Sequence, residues 1–349
     1  MSCRVAVTYN AKKKHTGELP IDYYSEFDSE KTITAIKDTL EELGNEVFLV
    51  EANYDLFEFF SNNHVDIVFN IAEGTYGNSR ESQVPAILDF LGIPYTGSGV
   101  LTLAIALDKA MTKKILRYEN IPTPNFQLFK DIEDPINPHL KYPLIVKPNR
   151  EGSAKGISTS SVVNNSTRLM EEVKKVIDLY HQEALVEEYI DGKEITVGIL
   201  GNENPTVLPS MEIDFSGCKE SGEYFYSWRM KEYQGDISKH LIPDFYCPAR
   251  LNKETESRVK DAALRAHLAL GCLDMSRTDI RISNKDNTPY VLDVNPLPGL
   301  DPDESNLTLI AKHSGMSYKE LINGILQSAL MRHTVCHKDL KENLAFAPK

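Results

Sequence analysis

The sequence predicts an α/β protein that opens with a doubly wound parallel sheet and continues into two further mixed regions. Three observations carry that expectation. Short apolar runs alternate with helical periodicities over the first hundred residues. One of those runs, Val65 to Ile71, is apolar almost throughout, as strands covered on both faces of a parallel sheet are. The chain, at 349 residues, is also too long for one ordinary core, so two or three domains are expected.

Arg4 to Tyr9 reads as the first strand. Ser29 caps a helix whose apolar stripe is Ile33, Ile36, Leu40 and Leu43, and Gly44 closes it. Val47 to Val50 is the second strand and Val65 to Ile71 the third, completing a first domain over 1–98. Ligands of such sheets gather where strands end, which nominates Glu73, Asn78, Arg80 and Glu81 for substrate contact, against the plainer reading of a solvated loop.

A second region, 99–187, begins with one helical periodicity from Leu101 to Glu119, interrupted by Asp108 and Lys109, and a stiff connector, Ile121 to Pro124. Tyr142 to Val146 is a strand that delivers Lys147 into the loop Pro148 to Gly156. A lysine followed by a loop with two glycines can hold phosphate oxygens by charge on one side and by backbone N–H groups on the other. It is not a Walker A loop, because the GxxxxGK[ST] order is missing. Asn165 to His181 is an amphipathic helix. Ala184 to Ile190 is a strand whose Glu187 and Glu188 either accept hydrogen bonds from a nucleoside or protect a sheet edge.

The third region, 188–335, holds the strand Glu194 to Leu200, continues through Thr206 to Ile213 and a loosely patterned aromatic and polar segment, and then forms an alanine-rich helix from Lys253 to Gly271. The segment 215–245 has little regular patterning and is long for a structureless loop, which predicts a lid. A helix from Tyr318 to Leu330 and a tail, 336–349, close the chain.

Arg277 to Gly299 carries the densest chemistry. Two alternating runs flank a polar turn, so a β-hairpin is expected. Pairing centred on Asp286 places Asp279 opposite Asp293, with Asn295 on the same face. Facing carboxylates repel unless a cation lies between them, and two Asp plus one Asn leave coordination positions open for a magnesium ion shared with phosphate. Pro296, Pro298 and Gly299 make the next loop rigid enough to aim N–H groups at a developing negative charge.

Composition narrows the partners. A net charge of -13 with 41% hydrophobic residues argues for a globular protein whose main partner is neither nucleic acid nor an anionic membrane. No apolar run reaches spanning length, and the first ten residues lack a signal-peptide core, so a cytoplasmic protein is expected. Five cysteines without CxxC spacing read as reduced thiols; Cys336 beside His337 is not taken as a nucleophile.

Six segments resemble the D-alanine-D-alanine ligase branch of the ATP-grasp superfamily, in order and with natural spacing. They are Gly-Ile-Pro-Tyr-Thr-Gly-Ser at 92–98, Leu-Asp-Lys at 107–109, Val-Lys-Pro-Asn-Arg-Glu-Gly-Ser at 146–153, Val-Glu-Glu-Tyr-Ile-Asp-Gly-Lys-Glu at 186–194, Arg-Thr-Asp at 277–279 and Asp-Val-Asn-Pro-Leu-Pro-Gly at 293–299. The resemblance implies an ATP-grasp fold in which two α+β lobes clamp ATP behind the doubly wound domain. It implies a ligase that joins a carboxylate to an amine through an acyl phosphate. Lys109 and Lys147 would hold the phosphates, Glu187, Glu188, Tyr189 and Ile190 would line the adenine pocket, and Glu194 would bind the ribose. Asp279, Asp293 and Asn295 would hold magnesium, with manganese as the alternative ion. Lys231 would meet the γ-phosphate, Arg277 and the N–H of Gly299 the oxyanion, and Ser153 would anchor the loop beside the substrate. Small amino-acid-like substrates and a homodimer are implied as well.

The departures concern the substrates. The family's ammonium-gripping glutamate has Glu26 as its nearest stand-in, and its His-Gly segment appears as Glu73-Gly74. The lid tyrosine is replaced by Glu232, and the His-Ser-Leu segment that meets the second substrate's carboxylate by Asp303, Glu304, Ser305 and Asn306. Asp301, Asp303 and Glu304 would repel a plain carboxylate, so at least one substrate pocket is expected to differ. The alternatives are a ligase for other small acids and amines, and an ATP-binding regulatory protein without turnover. A dehydrogenase is disfavoured because no GxGxxG follows the first strand.

Overall fold

The computed structural model describes residues 2–15, 17 and 19–345, with side chains as far as His333. β1 (Arg4–Tyr9), α1 (Glu30–Glu42), β2 (Glu46–Glu51), α2 (Leu56–Asn62), β3 (Ile67–Asn70) and α3 (Gln83–Leu91) form the first region. Its sheet is parallel, in the order β2-β1-β3, and Tyr95 adds one further bridge beside Val68. Ser29 starts α1 as expected, accepting from the Thr32 N–H at 3.2 Å. Ile33, Ile36 and Leu40 pack with Val5, Val7 and Phe69 on one face of the sheet, while Leu56, Phe60, Val84 and Leu88 cover the other.

The second region holds α4 (Val100–Leu107), α5 (Lys109–Tyr118), β4 (Phe126–Phe129), β5 (Leu144–Pro148), β6 (Val162–Val163), α6 (Ser166–Tyr180) and β7 (Ala184–Glu188). Its antiparallel sheet, β4-β7-β5-β6, is backed by Leu169, Val173 and Val176 of α6. The third holds β8 (Gly192–Leu200), β9 (Thr206–Val207), β10 (Met211–Asp214), α7 (Trp228–Glu232), β11 (Asp244–Tyr246), α8 (Lys253–Leu270), β12 (Met275–Ser283), β13 (Pro289–Asn295), α9 (Asn306–His313) and α10 (Tyr318–Ala345). The order is β11-β10-β8-β12-β13, with β9 on β8, and the alanine face of α8 packs on it through Ala262, Ala263 and Ala266. Leu321, Ile322 and Ile325 of α10 return to the core of the first region, so the chain's last helix helps cover its first sheet.

Two expectations are corrected. The periodicity from Leu101 to Glu119 is two helices, because Asp108 is extended (φ -83, ψ 95) and caps α5 by accepting from the Met111 N–H. The freed Lys109 N–H donates to the Asn149 carbonyl at 3.1 Å, which ties this break to the end of β5. α10 runs on past Leu330 to Ala345, into the stretch read as a tail; Cys336 and His337 lie beyond the described side chains, and 346–349 outside the described residues. Segment 215–245, read as a lid, contains α7, β11 and short 3-10 turns around a small core of Cys218, Met230 and Leu241.

Among the described residues no helix is long and apolar enough to cross a membrane. Cys3, Cys218, Cys247 and Cys272 are free thiols.

Candidate functional site

The β12–β13 hairpin pairs Asp279 with Asp293 and Arg277 with Asn295, which puts all four on one face. A bulge follows. Ile280 pairs with Val291, leaving Leu292 as the extra residue, so the symmetry about Asp286 holds at the site and not at the turn. Arg277 grips Asp279 with two bonds, 3.1 and 2.9 Å, and the Asn295 amide donates to Asp279 Oδ2 at 3.2 Å. Lys109, at the break between α4 and α5, lies 2.9 Å from Asp293 Oδ2. Burial alone would raise the Asp293 carboxyl, but Lys109 and Lys147 bring it below the usual carboxylate range. Among the described residues no three His, Cys, Asp or Glu side chains converge to enclose a metal by themselves. Two carboxylates and one amide oxygen instead fit a hard cation that takes its remaining ligands from phosphate and water.

Beside this face lies a lysine cluster. Lys113 and Lys147 both sit 3.0 Å from Glu187 Oε1, deep inside the second region. Lys113 also donates to Thr123 Oγ1 (3.0 Å) and to the Leu292 carbonyl (3.2 Å), the residue left over by the bulge. Burial, with Lys147 close by, pushes the Lys113 ammonium down to about 8 despite Glu187. Glu187 itself stays below its ordinary value, because the two lysines outweigh its burial.

An apolar pocket opens next to the cluster, lined by Ile145, Ile157, Tyr189, Ile190, Phe225 and Leu292. Alternation along β7 splits the two glutamates. Glu187 points to the lysines, whereas the Glu188 carboxylate accepts from Asn125 Nδ2 (3.0 Å) and the Lys141 N–H (2.9 Å); both residues, with Tyr189 and Ile190, line the pocket. Glu194 lines the pocket but is held by Arg281 at 2.8 and 3.3 Å, and Arg281 also donates to the Ile190 carbonyl at 3.0 Å.

The loop after β5 departs from expectation in one respect. Both glycine N–H groups nominated for phosphate are engaged by carboxylates: Gly152 donates to Glu26 Oε1, and Gly156 to Asp22 Oδ2 at 2.8 Å. Between them Ser153 and Ala154 adopt positive φ, 47° and 57°, a left-handed backbone that non-glycine residues rarely take. Ser153 thereby lines the cavity it shares with Lys231, Arg277, Asp293 and Gly299. At Gly299 a Cβ would stand 3.0 Å from Ser305 Oγ, the atom that accepts the Asp301 N–H at 2.9 Å, so a larger residue would push that hydroxyl against its bond.

The lid is closed over this cavity. Trp228 donates its indole N–H to Ser25 Oγ (2.7 Å) and its backbone N–H to the Ile157 carbonyl (3.0 Å), so it touches the first and second regions at once. Lys231 reaches inward with its ammonium 5.2 Å from the Tyr226 ring; burial and Arg277 lower its pKa. Glu232 stays at the rim, 3.0 Å from Lys12.

The acids near the substrate end fall into two groups. Glu26 is fully engaged: Arg80 holds it at 2.8 and 2.9 Å and Lys155 at 3.2 Å, and together with the Gly152 N–H they carry its carboxyl down to about 2 against its burial. Glu73 and Glu81 line the same cavity with no cation bound to either. Burial first, then neighbouring carboxylates, pushes Glu81 up to about 8 and Glu73 well above the ordinary range. Asp28, Asp301 and Glu304 line the outer part of the cleft, and Asp28 is raised to about 8 by burial and by Asp301. Asp303 does not belong there: it pairs with Lys31 at 2.8 Å on the surface, which corrects its reading as a pocket residue.

Two functional residues escaped the sequence reading. Lys113 had a signal, four residues after Lys109 and hence on the same helix face. Arg281 had none, since its partner Glu194 is 87 residues away and meets it only through the β8–β12 register.

A family model described as "D-ala D-ala ligase C-terminus" matches residues 113–327. The chain is 36% identical over 308 residues to the D-alanine--D-alanine ligase of Carboxydothermus hydrogenoformans, covering 86% of this chain and 93% of that protein. It is also 36% identical over 267 residues to the uncharacterized protein y4sG of Sinorhizobium fredii, covering 76% of this chain and 75% of that one. The crystal structure of D-alanine--D-alanine ligase from Bacillus anthracis complexed with ATP superposes with a TM-score of 0.71 at 27% identity, over 95% of this chain and 99% of that one.

Proposed function

We propose, from the premise that this chain belongs to the D-alanine-D-alanine ligase family, that it activates a small carboxylic acid with ATP and passes the acyl group to an amine. The chain is an ATP-dependent ligase that forms a C–N bond; the acyl-phosphate route and the assignments below are our reading. A carboxylate is a poor electrophile at neutral pH. Transfer of the terminal phosphoryl group makes it an acyl phosphate, an amine attacks the carbonyl, and phosphate leaves from a tetrahedral intermediate.

Negative charge develops at every step, and the cleft supplies fixed positive charge and N–H groups to meet it. Lys109 and Lys147 would take phosphate oxygens in exchange for Asp293 and Glu187, and Lys231 would descend on the γ-phosphate from the lid. Arg277 and the Gly299 N–H would face the oxyanion, while Ser153 orders the loop beside the acid. Asp279, Asp293 and Asn295 would hold magnesium, which supplies charge neutralisation between phosphates when bound. The apolar pocket beside Tyr189 and Phe225 suits a purine ring.

One observation carries the reading: Arg277, Asp279, Asp293 and Asn295 share a face against Lys109, Lys113 and Lys147. A protein that only bound ATP would have no use for the oxyanion group. Screening pairs of amino acids for ADP and phosphate release tests it: release that requires both partners supports a ligase, and ATP binding without release for any pair overturns it. We propose further that the acceptor side is altered, because Asp28, Asp301 and Glu304 line it. D-alanine dipeptide formation as fast as in cell-wall ligases would overturn that.

A further inference from the structure

β8 and β12 pair Arg281 directly with Glu194, so the two side chains leave the sheet on the same face, and both line the apolar pocket beside Tyr189 and Phe225. Arg281 is 3% exposed. Its Nε and Nη2 both donate to Glu194 Oε2, at 3.3 and 2.8 Å, and its Nη1 donates to the Ile190 carbonyl at 3.0 Å. Its guanidinium lies 4.9 Å from the centre of the Tyr189 ring. One side chain of the third region thus fixes both the chain as it leaves β7 and the acid near the start of β8.

Stability alone explains little of this. A buried ion pair returns through attraction about what its desolvation costs, and apolar side chains of similar volume replace such pairs with little loss. The surrounding wall is already apolar, with Ile145, Ile157, Phe225 and Leu292. The grip is also one-sided: both bonds to the carboxylate fall on Oε2, and among the described residues Glu194 Oε1 makes no hydrogen bond or ion pair. A carboxylate held at one oxygen by two N–H groups cannot turn freely about its last bond, so Oε1 is left as an acceptor in a fixed direction. Because the guanidinium already balances the charge, that acceptor suits a neutral donor, a hydroxyl, better than a second cation.

We propose that Arg281 is a positioning residue for the nucleoside end of ATP: it holds Glu194 so that Oε1 receives one ribose hydroxyl, and it thereby sets the preference for a ribonucleotide over the analogue that lacks this hydroxyl. The assignment rests on the ligase reading above and on the expectation that Glu194 meets the ribose. It adds a residue that lies outside all six segments carrying the resemblance, two places beyond Arg-Thr-Asp at 277–279. Lysine is no substitute, because an ammonium has no planar fork with which to hold one oxygen of Glu194 and donate to Ile190 at the same time.

Nucleotide binding tests this directly, without the ligase's other substrates. Full-length protein with magnesium is titrated calorimetrically with ATP, 2′-deoxy-ATP and 3′-deoxy-ATP. For wild type, one of the two analogues is expected to bind about tenfold or more weaker than ATP, because the fixed oxygen loses its donor. In Arg281→Met the affinity for ATP should fall about tenfold, and the gap between ATP and that analogue should shrink to within about twofold. Arg281→Lys keeps a positive charge beside Glu194, so it should melt near the wild-type temperature and still lose most of the gap. A merely structural role would weaken all three nucleotides by the same factor, and that result overturns the assignment. So does a wild type that binds ATP and both analogues alike, or a gap that survives in both variants; either leaves the ligase reading standing. If wild type binds no ATP, that reading fails together with the assignment.

Discussion

The two walls of the cleft treat charge in opposite ways. On the nucleotide wall each carboxylate is already matched by a cation: Glu187 by Lys113 and Lys147, Asp293 by Lys109, Asp279 by Arg277, Glu194 by Arg281. On the substrate wall Glu73, Glu81 and Asp28 lie close together, and among the described residues none of the three makes an ion pair. The first wall sets five cations against four carboxylates, so a nucleotide's phosphates would exchange partners with groups already in place. On the second, burial and like charge raise the carboxyls of Glu73, Glu81 and Asp28. A common nucleotide thus meets a preassembled surface, whereas the selective step is left to unsatisfied charge.

Five changes would break or sharpen this contrast. The largest effect is expected from Asp293→Ala, which removes a hard-cation ligand and frees Lys109: kcat should fall by about a thousandfold or more with circular dichroism unchanged, and retained activity would remove Asp293 from the nucleotide wall. Glu187→Gln comes next. It leaves two buried lysines facing each other, so the fold should lose about 3–5 kcal/mol in chemical denaturation; a loss within error would mean the cluster is not held by charge.

The pH response should also split by wall. Glu26, lowered to about 2, contributes stability that is present above its ordinary value of 4.5 and is lost as pH falls through 2. Asp28, raised to about 8 by burial and Asp301, contributes in the reverse sense: its share is present below 3.8 and is lost as pH rises through 8. Asp28→Asn should therefore flatten the decline of melting temperature between about pH 4 and 8, and Glu26→Gln should flatten the acid limb. Equal profiles for wild type and Asp28→Asn would place Asp28 in ordinary solvent. The smallest effect is expected from Lys12→Ala at the lid's rim, where the exposed pair with Glu232 is worth about 0–1 kcal/mol. A change in kcat of more than a few fold would show that this contact governs opening.

Much of the nucleotide wall was legible because it follows local rules. A symmetric polar turn sets Asp279 opposite Asp293, and strand alternation carries Asn295 and Arg277 onto the same face. The substrate wall depends on contacts between distant segments. Whether Glu26 or Glu81 is free is decided by Arg80 and Lys155, 54 and 129 residues from Glu26, and no periodicity reports that. The break at Asp108 was hidden for a related reason: the apolar pattern continues across it, and the bond that rewards it comes from Asn149. The lid's small core around Met230 was unreadable because its aromatic and polar residues follow neither period.

Leu292 bears on how this hairpin tolerates change over evolutionary time. As the extra residue of the bulge it offers its carbonyl to Lys113 instead of to the neighbouring strand, and it separates the site from the turn by an odd step. Additions or losses within 284–287 leave the bulge and everything beyond it in phase. Deleting Leu292 alone would let Asp293 follow Val291 in a regular ladder that still sets Asp293 opposite Asp279, at the cost of the carbonyl that Lys113 bonds. Length variation among descendants of this chain is therefore expected at the tip of the hairpin, and loss of residue 292 is expected to loosen the buried Lys113 and to leave Asp293 facing Asp279.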